Sequence, residues 1–458
     1  MILSQPEVYK KLVIITYGCQ MNVYDSTQMQ NIMVKLGYVI SEDIQDADLV
    51  IMNTCNIREK AAEKVYSELG KIRKLKENRI KNNQQMVIVL AGCVGQAEGE
   101  EVFRRAPYVD IVVGPQSYQT LPNLIKEVEE KSHKVINLDF KNEEKFNTLP
   151  EELLSQGISA FVTIQEGWDK FCKFCSVPYT RGAEYSRPVS QIYREVLKLA
   201  AQGSQEIILL GQNVNAYHGQ TDEGQTFSLA DLIKHIAKIN GIKRIRYTTS
   251  HPVDMSDDLI ALHGDEPKLM PLIHLPIQTG SNKLLKAMGR NHTVEFYLGI
   301  VEKCKEARAD IKFSSDFIEG YPGETEDDLR QTLDIIEKVE FTQGYAFKYS
   351  KRLGTPAPLI EDATPSEVID QRLFKVQELL MQQQIAFNRS FIEKEVEILV
   401  EKIIEERGQV MGKTPYMQNV YIKGGKDLYG KTIMVKIFDA NKTNLKGEMI
   451  SDEMEIAC

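Results

Sequence analysis

Residues 47–55 read ADLVIMNTC, a short apolar run that stops at a cysteine. The same shape stands at 11–19, KLVIITYGC, and at 85–93, QMVIVLAGC. Runs of this length suit strands buried on both faces. Helical patterns separate them, DSTQMQNIMVKLGY (25–38) and REKAAEKVYSELGKIRKLK (58–76), and VDIVVG (109–114) reads as a fourth strand. Strands alternating with helices predict a doubly wound α/β domain with a parallel sheet. In such a sheet the strand ends share one edge, where open α/β folds place their sites. Cys19, Cys55 and Cys93 are therefore expected on that edge. Thiolates are soft ligands for iron and zinc, and three together suit an iron–sulfur cluster with one iron left open. The plainer alternative is three small buried residues. The basic run Lys71–Lys81 reads as a solvated helix end.

The charged, weakly periodic stretch 127–153 is expected to be a linker. Strand–helix units resume beyond it, with strands in SAFVTIQEG (159–167), EIILLGQ (206–212), KRIRYTTS (243–250), LMPLIHLPIQ (269–278), DIKFSSDFIEGY (310–321) and QGYAFKYS (343–350). Six such units are too few for a full eight-unit barrel and predict a partial (β/α)6 barrel. A helix near 365–392 follows. The tail then turns to short strands, EVEILVEKI (395–403), GQVMGKT (408–414), MQNVYIKG (417–424) and KTIMVKIFDA (431–440), which predict a small antiparallel β-barrel. The expected domains are 10–126, a linker 127–153, 154–386 and 387–456.

Composition narrows the class. Of the 458 residues 42% are hydrophobic, enough for packed cores rather than wholesale disorder. No apolar run approaches the ~18 residues of a membrane span. The start, MILSQPEVYKK, lacks a secretory pattern, so a cytoplasmic protein is expected. The net charge of −9 excludes a chain basic throughout but not a local basic patch. Residues 408–446 hold seven Lys against two acids, Asp427 and Asp439, with Tyr416, Tyr421, Tyr429 and Phe438 interleaved. Basic charge with aromatics on a small barrel points to nucleic acid. Lys413, Lys423, Lys426, Lys431 and Lys436 are the candidate contacts, and an ordinary barrel is the alternative.

Seven cysteines in a large chain without a secretory pattern read as metal or catalysis rather than a disulfide framework. Cys172-Lys-Phe-Cys175 follows the first strand of the second series. Alone it suits zinc, redox or cluster chemistry, and no second pair stands near it for zinc. Cys304 and Cys458 read as bystanders. The only tryptophan, Trp168, precedes the pair.

From these motifs a family resemblance emerges. QEGWDKFCKFCSVPYTRG (165–182) resembles the radical S-adenosylmethionine (SAM) loop of the methylthiotransferases, and the three upstream cysteines match that family's N-terminal domain. HLPIQTGSNKLLKAMGR, SSDFIEGYPGET and FKYSKRLGTPA match its barrel motifs in order, and the tail looks like a TRAM domain. The likeness covers about 10–455. NTCNIREKAAEKVYSELG (53–70) and TSHPVDMSDDLI (249–260) resemble the tRNA branch acting on isopentenyl-type adenosines, the MiaB type.

The resemblance implies two [4Fe-4S] clusters, one on Cys19, Cys55 and Cys93 and one in the barrel on a C-x-x-x-C-x-x-C loop. It implies that SAM is cleaved to a 5′-deoxyadenosyl radical. C2 of N6-(dimethylallyl)adenosine at position 37 of tRNA then receives a methylthio group, with a second SAM as methyl source. An aromatic C–H has no useful acidity, so radical rather than acid–base chemistry fits. Gly211, Gln212, Asn213, Ser314, Ser315 and Asp316 are the candidates around SAM; plain turn chemistry is their alternative. The implied partners are tRNA and an external electron donor such as flavodoxin or ferredoxin, with no membrane and a monomeric chain.

Two departures stand out. The first position of the loop is Trp168, whose indole N–H is a donor only, so the second cluster is one protein ligand short. Glu319 stands on a strand where the family has an apolar residue. Two other readings are a catalytically inactive tRNA-binding homologue, pointed to by Trp168, and a ribosomal-protein methylthiotransferase, disfavoured by Asn56–Lys60.

Overall fold

The computed structural model describes residues 9–56, 59–140, 142–148, 152–170, 172–352, 355 and 364–450. Ile57 and Arg58 of the branch-distinguishing segment, part of FKYSKRLGTPA and Cys458 lie outside them. The described residues form two compact units. One runs to Leu154 and includes 165–170 and 175–187; the other comprises 155–164, 172–174 and 188 onward.

The first unit is built on β1 (Lys11–Tyr17), β2 (Val39–Ile40), β3 (Leu49–Thr54), β4 (Val87–Gly92), β5 (Ile111–Val113) and β6 (Val135–Asn137), all parallel, in the order β2-β1-β3-β4-β5-β6. Leu49 and Ile51 face one apolar layer, with Met29 and Met33 of helix Gln20–Lys35 and Leu121 of helix Leu121–Lys131. Val50 and Met52 face the other, with Val65, Leu69 and Ile72 of helix Glu59–Lys81. Burial on both faces is why these strands read as unbroken apolar runs.

Three local expectations change. The supposed linker 127–153 holds the end of a helix, strand β6 and helix Asn142–Asn147; Val135 pairs with Ile111, closing the sheet's edge. The helix expected from Asp25 starts at Gln20, because Cys19 caps it. The basic run is only partly solvated, since Lys76 and Arg79 are ion-paired to Asp110 and Asp48 at 2.5 Å each. The same unit includes the short antiparallel pair Gln165–Glu166 and Tyr185–Ser186 and helix Val177–Arg181.

In the second unit β7 (Ser159–Thr163), β8 (Glu206–Leu210) and β9 (Arg244–Thr248) form one parallel sheet, and β10 (Leu272–His274), β11 (Lys312–Glu319) and β12 (Gln343–Lys348) another. The two meet where Ile245 bridges Leu269, just before β10. These are the six expected strands in the expected order. After helix Ser366–Arg389, β13 (Glu395–Ile404), β14 (Gln409–Lys413), β15 (Asn419–Lys423), β16 (Thr432–Ala440) and β17 (Asn444–Met449) close a barrel in the order β13-β14-β15-β17-β16.

This small barrel docks on the starting ends of the parallel strands. Arg244 donates to the Lys413 carbonyl at 2.7 Å and to Glu397 at 2.8 Å. Arg246 donates to the carbonyls of Pro415 and Thr414, and Gln205 to that of Gly430. The loops after β7, β8 and β9 leave the opposite edge of their sheet. No helix among the described residues is long and apolar enough to cross a membrane.

Candidate functional site

Tyr17, Thr54 and Gly92 lie in one register line across β1, β3 and β4. Cys55 and Cys93 follow directly and Cys19 two residues on, so all three cysteines leave one edge of the sheet. The Cys55 thiol neighbours both Cys19 and Cys93. That neighbour, with Arg181 nearby, pulls Cys19 down to about 7 and Cys93 to about 6. The same two neighbours push Cys55 up, so it keeps its proton longest. Cys19 is exposed while Cys55 and Cys93 are buried.

Small residues and amides make this approach possible. Gly92 has φ +89°, and a Cβ there would lie 2.4 Å from Asn53 Oδ1 and 2.5 Å from the Thr54 carbonyl. The Asn22 side chain accepts from Cys19 N at 3.2 Å and from its thiol at 3.3 Å, and donates to Asn53 at 3.2 Å. Cys19 also sits at the N-terminus of a 16-residue helix, which favours a thiolate. No three His, Cys, Asp or Glu side chains among the described residues are grouped to hold a single metal ion. A cubane asks for something different, because each cysteine binds its own iron, and three adjacent thiols, two of them inclined to ionise, fit that demand.

A buried quartet of charges lies near the cysteines. Lys145 pairs with Glu166 at 2.6 Å and Asp25 at 3.2 Å; Arg181 pairs with Asp25 at 2.8 Å and Glu166 at 3.0 Å. All four side chains are 3% exposed or less. Their partners lie far apart in the chain, so no local pattern marks them.

At the loop, Trp168 is buried, and its backbone N–H donates to the Gly182 carbonyl at 3.1 Å. Gly167 before it has φ +82°, with Ala183 pressed against the place of a Cβ. In the other unit Cys172 is buried, with the Arg290 guanidinium 4.0 Å from its sulfur. Lys173 N donates to the Met288 carbonyl, and Phe174 packs on Leu284, Met288 and Tyr321. Trp168, Cys172 and Cys175 do not supply three thiolates, so this donor set does not fit a cubane held by three protein ligands. Cys304 is buried on helix Val294–Ala307, its thiol pushed up to about 12 by burial, which keeps it inert.

Gly211, Gln212 and Asn213 follow β8 on the edge opposite the docked barrel. Asn213 donates to Asp254 at 2.9 Å, which ties this loop to the one after β9. Ser314 and Asp316 share one face of β11, where His274 meets Ser314 at 2.9 Å and Asp316 at 3.5 Å. Ser315 alternates to the other face and its hydroxyl accepts from Ile277 N at 3.1 Å, so it is a structural residue rather than part of that group. His274 was not singled out from sequence. Glu319 also points away from that face. It is buried beside Glu324 and Arg372, and its Oε1 has no hydrogen-bond partner among the described residues. Burial first, and Glu324 second, push it up to about 8.

The lysines of the small barrel are less free than their sequence suggests. Lys413 pairs with Glu401, Lys426 with Glu405, Lys436 with Glu393 and Lys446 with Asp439. Three of those acids precede 408 and fold back onto the basic stretch. Lys423 and Lys431 are exposed, with no ion pair among the described residues, and Tyr429 and Phe438 are exposed too. Tyr416 is taken up by docking, its hydroxyl 3.1 Å from Asp310.

Three family models match separate stretches of the chain. Residues 11–114 match an uncharacterised family, UPF0004; 164–336 match the radical SAM superfamily; and 389–450 match the TRAM domain. The chain is 57% identical to the tRNA-2-methylthio-N(6)-dimethylallyladenosine synthase of Rickettsia bellii (strain RML369-C), over 96% of this chain and 99% of that one. It is 56% identical to the protein of the same name from Rickettsia rickettsii (strain Sheila Smith), over 96% and 100%. Among solved structures, the radical SAM methyltransferase TsrM from Kitasatospora setae, with cobalamin and a [4Fe-4S] cluster bound, superposes with a TM-score of 0.57 at 14% identity, covering 76% of this chain and 77% of that one. The cobalamin-dependent SAM radical enzyme OxsB superposes with a TM-score of 0.53 at 14% identity, covering 82% and 56%. These two show the fold.

Proposed function

The chain belongs to the tRNA-2-methylthio-N(6)-dimethylallyladenosine synthases, a family of radical SAM methylthiotransferases, and on that premise we propose that it places a methylthio group on C2 of N6-(dimethylallyl)adenosine at position 37 of tRNA. The observation that carries this is the meeting of Cys19, Cys55 and Cys93 at one sheet edge, in a chain matched to the family over almost its whole length.

These three cysteines are the residues to hold the N-terminal [4Fe-4S] cluster, which when bound supplies the sulfur chemistry. Asn22 orients Cys19, and Gly92 lets Cys93 approach. Gln212, Asn213, Ser314 and Asp316, joined by His274, are the side chains we assign to SAM. The small barrel grips tRNA through Lys423, Lys431 and the exposed rings of Tyr429 and Phe438, with Lys413, Lys426 and Lys436 as secondary contacts. Because it docks at the strand starts, that grip falls on RNA away from the reacting adenosine. An external donor of the flavodoxin or ferredoxin type, a cytoplasmic setting and a monomeric chain accord with this chemistry.

Trp168 leaves the barrel loop one thiolate short, so the test uses Trp168→Cys. Reconstituted without oxygen and given SAM, reductant and tRNA bearing N6-(dimethylallyl)adenosine, that variant is expected to yield the 2-methylthio nucleoside by mass spectrometry. Unmodified tRNA alongside a methylthiolated ribosomal protein would overturn the assignment.

A further inference from the structure

Ser159, Glu206 and Arg244 stand in one register line at the starts of β7, β8 and β9. Arg246 shares the Arg244 face of β9, because side chains alternate along a strand. Both arginines are buried. Buried arginines are rare unless paired, and these two spend donors on the backbone of the small barrel. Arg244 donates to the Lys413 carbonyl at 2.7 Å, and Arg246 to those of Thr414 and Pro415 at 3.1 and 2.6 Å. Consecutive carbonyls of the turn between β14 and β15 are thus held by two guanidinium forks. Arg246 is itself braced by Glu206 at 2.9 Å. The Ser159 hydroxyl lies between Glu206 and Glu401 of β13, 3.2 and 2.5 Å away, and Glu401 pairs with Lys413 at 3.1 Å. A second anchor closes the far end of the same turn. Gln418 donates to Asn388 at 2.8 Å, and Asn388 donates to the carbonyls of Asn441 and Lys442 at 2.9 and 3.0 Å.

We propose that Arg244 and Arg246 are positioning residues for the tRNA reaction: by locking 413–415 to the strand starts they hold the small barrel as a fixed arm, so that tRNA gripped by it brings its adenosine to SAM at one set reach. The inference rests on the reading of tRNA as substrate and of the small barrel as its grip. Apolar contact alone would hold the barrel but let it slide, whereas planar forks on fixed carbonyls set both position and angle. The other ends of β8 and β9 lead to the loops of Asn213 and Asp254. Rigid strands, roughly 13 Å long at about 3.3 Å per residue, therefore join the docked turn to the loops assigned to SAM. A barrel on a loose tether would still bind tRNA, because phosphate contacts supply the affinity. It would deliver the adenosine poorly, since a misplacement of ~1 Å can cost about 100-fold in rate.

The test is a footprint of tRNA bearing N6-(dimethylallyl)adenosine on the full chain, with dimethyl sulfate reading N1 of adenosine 37 and hydroxyl radicals reading the backbone. The chain as it stands is expected to protect both. Arg244→Gln combined with Arg246→Lys keeps a cation beside Glu206 but gives up both forks. That variant is expected to hold tRNA within about threefold of the parent, with the backbone footprint kept, while adenosine 37 becomes reactive. In the Trp168→Cys background the same pair should lower kcat about tenfold or more with KM little changed. Lys423→Glu with Lys431→Glu should do the opposite in binding, weakening it and flattening its salt dependence. If the double arginine variant fails to fold, Arg244→Gln alone decides, because the Glu397 carboxylate it leaves behind is half exposed. An adenosine 37 as protected as in the parent overturns the proposal, and so does joint loss of both footprints in a folded chain. A parent that leaves adenosine 37 reactive, or lysine reversals that leave binding intact, would instead remove the reading of substrate and grip, and with it this proposal.

Discussion

Arg181 Nη2 donates to Asp25 Oδ2 at 2.8 Å, joining a residue just beyond the cysteine loop to the helix that Cys19 begins. Removing one partner of a fully buried ion pair leaves an uncompensated charge, at about 3–5 kcal/mol. Asp25→Asn is therefore expected to cost about that much in urea unfolding. The exposed pair Lys10–Glu129 sets the contrast: Glu129→Gln should cost no more than about 1 kcal/mol.

Gly92→Ala tests the approach of the cysteines. The added methyl has no room between Asn53 and Thr54, and φ +89° disfavours any side chain. The strand end must shift, so iron bound at the N-terminal site should fall well below that of the parent after identical reconstitution. Full iron content would show that Gly92 does not set the cysteine geometry.

The sheet edge was legible because KLVIITY, LVIMNT and VIVLAG are each long enough and apolar enough to be read as strands, and each is followed closely by a cysteine. Strands β2, β6 and β17 were not. Val39–Ile40 has two residues, Val135–Asn137 sits in charged sequence, and Asn444–Met449 carries Lys, Gly and Glu. Ser315 adjoins Ser314 and Asp316 in sequence but faces the other way on the strand, because side chains alternate. The quartet Asp25, Lys145, Glu166 and Arg181 is long-range and leaves no periodic trace. The ion pairs of Lys413, Lys426 and Lys436 leave no local trace either, since their acids Glu401, Glu405 and Glu393 precede the basic stretch.

Glu319 gives the protein a pH dependence with a definite sign. Folded, it titrates at about 8, against an ordinary value of 4.5. Between those values the folded chain holds a proton that the unfolded chain has released. Its contribution is thus fully present below about pH 4.5, is lost as pH rises through about 8, and is flat above. The slope from this group is at most about 1.4 kcal/mol per pH unit. Glu319→Val should remove it, so the stability gained by the variant grows from pH 5 to pH 8. An advantage that is constant with pH would mean Glu319 stays ionised in the fold.

On the small barrel, the lysines differ in what they can offer RNA. Replacing Lys423 and Lys431 by Glu should weaken tRNA binding and flatten its dependence on salt. Lys413→Gln, which breaks a half-buried pair with Glu401, should change binding less than either. Equal losses at Lys413 and Lys423 would place the RNA surface elsewhere.

The most direct measurement concerns Trp168. The chain as it stands and its Trp168→Cys variant are reconstituted side by side without oxygen, and iron and 5′-deoxyadenosine are counted. Three N-terminal thiols and an incomplete barrel set predict about four irons and no detectable SAM cleavage in the first, and about eight irons with cleavage in the second. Eight irons and clear turnover with Trp168 confirmed in place by mass spectrometry would contradict the account, because two thiolates would then suffice to hold a working cluster in the barrel.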